Sequence, residues 1–185
     1  MLETLLQWDT DLFLALNGLG TPHLDQTMSF LSNKYVWIPM YLYLIFRLYQ
    51  RHNRSFYLPL LALILVIVCT DQITASILKP YFERLRPCKD PLLEGLVYTV
   101  GKCRGFSFAS GHAANTFGLA AFFYFLEKSP LAIALLVWAA LVSYSRIYLG
   151  VHYPTDVTVG ALIGITFGYV WCRGLITLYP KFRAC

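Results

Sequence analysis

Charge is what this chain has least of. Asp, Glu, Lys and Arg make up only 14% of its 185 residues, while 57% are hydrophobic and the mean hydropathy is positive. A composition so poor in charge excludes an ordinary soluble domain. The chain also lacks an internal repeat, a low-complexity tract, a cluster of carboxylates and a Cys/His set at metal-ligand spacing, so no metal or other cofactor is signalled. No basic cluster precedes the first apolar residues, which argues against a cleaved signal peptide.

Long apolar runs are what the chain does have. Five stand out, over about 28–48, 55–77, 111–127, 130–148 and 155–177. Each is close to the roughly 20 residues that cross a hydrocarbon layer. The third is on the short side and ends at Glu127-Lys128. Near the start, Leu2, Leu5, Leu6, Phe13, Leu14 and Leu16 recur at helical spacing, interrupted by Glu3, Asp9 and Asp11. That pattern predicts an amphipathic helix lying at the membrane surface, followed by a turn from Asn17 to Pro22; the alternative is that residues 4–19 form a sixth, short span. The expected fold is all-α: a polytopic transmembrane helical bundle of five spans, or six, with an N-terminal interfacial helix, one domain over residues 1–185.

Basic residues give the bundle a direction. Arg47, Arg51 and Arg54 follow the first span, Lys128 lies between the third and fourth, and Arg173, Lys181 and Arg183 close the chain. With five spans all three regions fall on one side, the cytoplasmic side by the positive-inside rule. The 79–110 and 146–156 connections then share the opposite face. Much of the net charge of +5 then belongs to the cytoplasmic loops and to a phosphate site, and nucleic-acid binding is not expected.

Three polar clusters lie in those connections: Lys79-x6-Arg86-Pro87, Ser110-Gly111-His112, and Ser145-Arg146-x5-His152-x3-Asp156. Charges at the edge of apolar runs are expensive unless they pair or do chemistry. Three fixed cations, two imidazoles and a carboxylate suit removal of phosphate from a membrane molecule. Taken in order, the clusters resemble the three-part signature of the type 2 phosphatidic acid phosphatase superfamily, over about Asp25 to Gly174. One departure is Ala109, where that family usually carries proline before the serine; this position shapes the turn and not the chemistry.

The residue chemistry supports specific roles. Lys79 and Arg86 are seven apart, about two helical turns, with Pro80 and Pro87 expected to end regular helix. Lysine acts as a point charge and arginine as a planar fork for phosphate oxygens. Ser110 caps the third span and Gly111 lets backbone approach an anion at that helix N-terminus. His112 is the candidate general acid. His152 is the candidate nucleophile, oriented by Asp156, and Arg146 completes the cationic clamp. The resemblance implies a two-step displacement through a phosphohistidine, independent of metal and inhibited by vanadate.

Asp71 and Asn115 are candidates for bracing this site from behind, with helix–helix hydrogen bonding an equal reading. Gly160 and Gly164 read as close helix packing. Arg84 reads equally as a substrate contact or a headgroup-level surface cation. Cys88 and Cys103 could form a disulfide on an extracytoplasmic face or stay reduced; Cys69, Cys172 and Cys185 are expected to stay reduced. Residues 88–104 could form a short amphipathic helix over the site.

The partners expected are a membrane lipid phosphate and the bilayer, with no obligate protein partner. The resemblance suggests undecaprenyl diphosphate first, with phosphatidylglycerol phosphate, phosphatidic acid or a lipid A phosphate as competitors. The expected location is a bacterial cytoplasmic membrane, with the site on its outer face. Two other classes share the clusters: a vanadium haloperoxidase, whose known relatives are soluble, and a lipid-phosphate binder or transporter without turnover.

Overall fold

The computed structural model describes residues 2–182; Arg183 and Cys185 lie outside the described residues. It contains helices α1 (Leu2–Asn17), α2 (Pro22–Ser32), α3 (Ile38–His52), α4 (Tyr57–Asp71), α5 (Lys79–Phe82), α6 (Gly111–Glu127), α7 (Pro130–Tyr148) and α8 (Pro154–Leu178). Among the described residues there is no strand. Three helical runs among the described residues are long and apolar enough to cross a membrane: the one that begins at Tyr57, and helices α7 and α8.

Helix α6 is the core of the bundle. Its residues Ala113, Ala114, Ala120, Ala121, Phe122 and Phe123 are almost wholly buried, with α4, α7 and α8 packed around it. Small residues let α8 come close. A methyl group added at Gly160, Gly164 or Gly168 would sit within 2.6 Å of a carbonyl oxygen of Ser110, Ala114 or Gly118 respectively. This is backbone-to-backbone packing, the arrangement that small-x3-small patterns permit between membrane helices.

Several local expectations need correction. The run over 28–48 is not one helix. It breaks after Ser32, because the Asn33 side chain accepts a hydrogen bond from Tyr35 N at 3.1 Å and starts a 3-10 turn, Lys34–Trp37, ahead of Pro39 in the first turn of α3. Pro80 does not end its helix. The chain passes through a π-helical stretch, Gln72–Leu78, and then into α5. A proline ring has no N–H and crowds the preceding turn, and a widened turn accommodates both effects. The helix stops instead at Glu83, whose φ of 45° is left-handed, so Lys79 and Arg86 are not on one helical face. Residues 88–104 hold two 3-10 turns, Pro87–Lys89 and Pro91–Leu93, and no α-helix.

The two ends of the bundle differ in chemistry. At the end where α6 finishes, buried Glu127 pairs with Arg47 at 2.8 Å and faces Arg51 at 3.8 Å. Lys181 reaches Ser55 nearby in sequence to the same basic turn, at 2.7 Å. The other end gathers the start of α6, the end of α7, the start of α8 and the 83–110 loop. Asn17, buried at the end of α1, ties that loop in place. Its Nδ2 donates to the carbonyls of Tyr98, Ile147 and Tyr148, and its Oδ1 accepts from Tyr98 N. A disulfide joins Cys88 to Cys103 within the same loop, while Cys69 and Cys172 are free.

Candidate active site

Asp156 is the hub of the polar end. It occupies the third position of α8, after Pro154 at the first, and its Oδ2 accepts from Tyr153 N at 2.9 Å, closing the helix N-terminus. The same carboxylate faces His152 Nδ1 at 3.4 Å and accepts from Ser107 Oγ, while Oδ1 accepts from Arg84 at 2.9 Å. Its backbone carbonyl accepts from Ser110 N at 3.0 Å, which stitches the start of α8 to the start of α6. Asp156 is completely buried.

A carboxylate can only accept, so Nδ1 of His152 is the protonated nitrogen and Nε2 carries the lone pair. His152 is 2% exposed. Burial pushes its imidazole down to about 4, against the opposing pull of Asp156. The ring is therefore neutral at ordinary pH.

His112 opens α6, one residue beyond Gly111. Its Nε2 lies 3.2 Å from the backbone oxygen of Ser32; since a carbonyl only accepts, that nitrogen is the donor. Arg146, near the end of α7, donates to the Ser32 hydroxyl, so the broken end of α2 touches both His112 and Arg146. The charges of Arg146 and Lys79 reach His112, and His152 lies close enough to couple to it, while the charges of Arg86, Arg146 and Asp156 reach Lys79. The three sequence clusters thus converge at one end of the bundle.

The cations are arranged for an anion. The Nε atoms of Arg86 and Arg146 are both buried with no hydrogen-bond partner among the described residues, although Arg86 also donates to the Val151 carbonyl at 3.3 Å. A buried donor left unmatched is costly, and two beside a neutral imidazole fit the oxygens of a phosphate. Ser110 is fully buried and caps α6 by accepting from Ala113 N at 3.5 Å. At Gly111 an added methyl would meet only Thr74 Oγ1, at 3.4 Å.

The bracing candidates separate. Asn115 Oδ1 accepts from Thr70 Oγ1 at 2.6 Å and ties α6 to α4 below His112. Asp71 lies on an exposed face, and its charge reaches Lys79. Three residues in the site were not assigned to it from sequence, Asp9, Ser32 and Ser107, while Arg84, read there as a substrate contact or a surface cation, instead pairs with Asp156. Of the three, only Asp9 gave a signal, as a carboxylate interrupting an apolar helical face.

The family model of the PAP2 superfamily matches residues 60–178, a stretch that contains all three clusters. The chain belongs to the PAP2 superfamily. A lipid A 4'-phosphatase of Bacteroides thetaiotaomicron is 41% identical over 177 residues, covering 92% of this chain and 78% of that protein. A lipid A 4'-phosphatase of Porphyromonas gingivalis is 35% identical over 187 residues, covering 98% and 78%. The crystal structure of a PAP2-type phosphatidylglycerolphosphate phosphatase from Bacillus subtilis superposes with a TM-score of 0.74 at 25% identity, covering 97% of this chain and 90% of that one. This PAP2 protein is an integral membrane phosphoric ester hydrolase acting on lipid phosphate.

Proposed function

We propose that this enzyme removes a phosphate from lipid A or a closely related acylated sugar phosphate. The observation that carries the reading is the joining of the polar site to an apolar cavity. A space of about 580 Å³ runs from Ser32 and His112 down between α3, α4, α6 and α7, past Trp37, Ile64, Leu119 and Trp138. A headgroup phosphate among the cations would leave acyl chains along this wall. The similarity to two lipid A 4'-phosphatases supports this substrate over undecaprenyl diphosphate, the first choice from sequence.

In this reading His152 Nε2 attacks phosphorus in line and a phosphohistidine forms. His112, protonated once the phosphate dianion offsets the cations around it, gives that proton to the departing sugar oxygen and recovers one from the water that releases phosphate. Lys79, Arg86, Arg146 and the amides at Ser110–Gly111 meet the charge on the equatorial oxygens. One domain with five membrane crossings carries the site. Its face is extracytoplasmic in a bacterial cytoplasmic membrane, with the Arg47, Arg51 and Lys181 end inside.

Purified protein in detergent, with EDTA present, tests this against a panel: lipid A, undecaprenyl diphosphate, phosphatidylglycerol phosphate and phosphatidic acid. Lipid A losing one phosphate with the highest kcat/KM is the expected result, with His152→Ala reduced to a trace. Preference for undecaprenyl diphosphate overturns the substrate assignment, and full activity in His152→Ala overturns the nucleophile.

A further inference from the structure

Arg84 is neither a surface cation nor a phosphate ligand. Its guanidinium spans two carboxylates, donating to Asp156 Oδ1 at 2.9 Å and to Asp9 Oδ2 at 2.7 Å. It also donates to Thr155 Oγ1 at 2.8 Å and stacks 3.9 Å from the centre of the Tyr153 ring. Asp9, on α1, is 4% exposed and accepts from Thr155 N at 2.9 Å and from the Thr155 hydroxyl. Both terminal nitrogens of Arg84 are therefore committed. A residue at an unspecified position of the first cluster, between Lys79 and Arg86, closes the first turn of the helix that carries Asp156.

We propose that Arg84, held by Asp9, is a positioning residue for hydrolysis: it locks the Asp156 carboxylate so that Oδ2 stays against the His152 ring. The inference rests on the roles given above to Asp156 and His152. Asp156 is fully buried, and a buried charge stripped of its partner is poorly tolerated. Without Arg84, the least costly relief is for the carboxylate to turn away or for His152 to take up a proton. Either change removes the oriented lone pair that attacks phosphorus. The charged and titratable groups that face His152 are Asp156 on α8, Arg86 in the loop, Arg146 on α7 and His112 on α6. Arg84 acts on this set only through Asp156: without it the carboxylate loses the cation that competes with a protonated His152 for its charge, and the pH at which His152 protonates rises.

The test compares Arg84→Ala, Arg84→Gln, Arg84→Lys and Asp9→Asn with the wild type and with Asp156→Asn, as full chains in detergent. Thermal melts monitor folding. Arg84→Ala or Arg84→Gln is expected to lower kcat roughly 10- to 100-fold, the scale seen when an outer partner of a fixed ligand is lost. KM and vanadate inhibition stay near wild type, and the acid limb of kcat moves to higher pH. Arg84→Lys recovers part of kcat and keeps the limb in place. Asp9→Asn lowers kcat several-fold on the same scale, with KM unchanged. If Arg84→Ala does not fold, Arg84→Gln and Asp9→Asn carry the comparison. Weakened vanadate inhibition in step with kcat overturns the proposal in favour of a phosphate ligand. Lost activity with an unmoved limb and a lowered melting temperature overturns it in favour of a structural tie. Wild-type kcat in Asp156→Asn means instead that the site reading has failed.

Discussion

Replacing Gly160 by alanine tests whether the catalytic geometry depends on backbone contact between α6 and α8. Gly160 lies one turn beyond Asp156 on α8. The new methyl carbon would sit 2.5 Å from the Ser110 oxygen and 3.2 Å from Ala113 Cβ. Ordinary contact begins near 3.4 Å, so the start of α6 has to move away by about 0.9 Å. No flexible side chain can absorb the displacement, since the obstructing atom is backbone. Overpacking of this kind costs about 1–3 kcal/mol. The moving segment carries Ser110, Gly111 and His112, whereas His152 and Asp156 stay with α8. A misplacement of about 1 Å between reacting groups costs on the order of 100-fold in rate. Gly174→Ala is the control, because nothing lies within 4 Å of a methyl there; it should be neutral or slightly stabilising, as helix propensity predicts. Phosphate release and thermal melts in detergent read both effects. A Gly160→Ala enzyme with wild-type kcat and melting temperature would refute the claim that this helix contact sets the distance between the two imidazoles.

Two further outcomes follow from the same geometry. Reducing the Cys88–Cys103 bond opens a loop of sequence separation 15, a closure worth about 3 kcal/mol. A melt with and without reductant should show a clear drop, absent in Cys88→Ser. His152 is held down to about 4 by burial, below the ordinary histidine value of about 6.5. Its stabilising contribution is thus complete above about 6.5 and lost as pH falls toward 4. Ring titration by NMR should find His152 still neutral at about pH 5.5, and a midpoint near 6.5 would contradict its burial.

The helices and the three clusters were legible along the chain for local reasons. A span needs about 20 apolar residues in a row. A helix N-terminus that holds an anion needs a capping serine and a glycine at neighbouring positions, and Ser110-Gly111-His112 sits where α6 begins. His152 stands just before the N-cap of α8 and Asp156 in its first turn, after Pro154, so their geometry is contained in a few residues. The break at Ser32 was hidden because Val36, Trp37 and Ile38 continue the apolar run. The π-helical turn before Pro80 was hidden because proline predicts disruption without saying whether a helix stops or widens.

Composition and local spacing by themselves determined a membrane-embedded helical protein with a phosphate-handling set of residues. Only the tertiary structure decided which residues support that set. Arg84 reaches Asp156 across 72 positions and Asp9 across 75, while Ser32 meets Arg146 across 114. Such pairs have no local period to read, since their geometry exists only once α1, α2 and the 83–110 loop have packed over the starts of α6 and α8. A lone arginine two residues before Arg86 has the same sequence whether it grips phosphate, faces lipid headgroups or holds a carboxylate, and the fold alone selects the last.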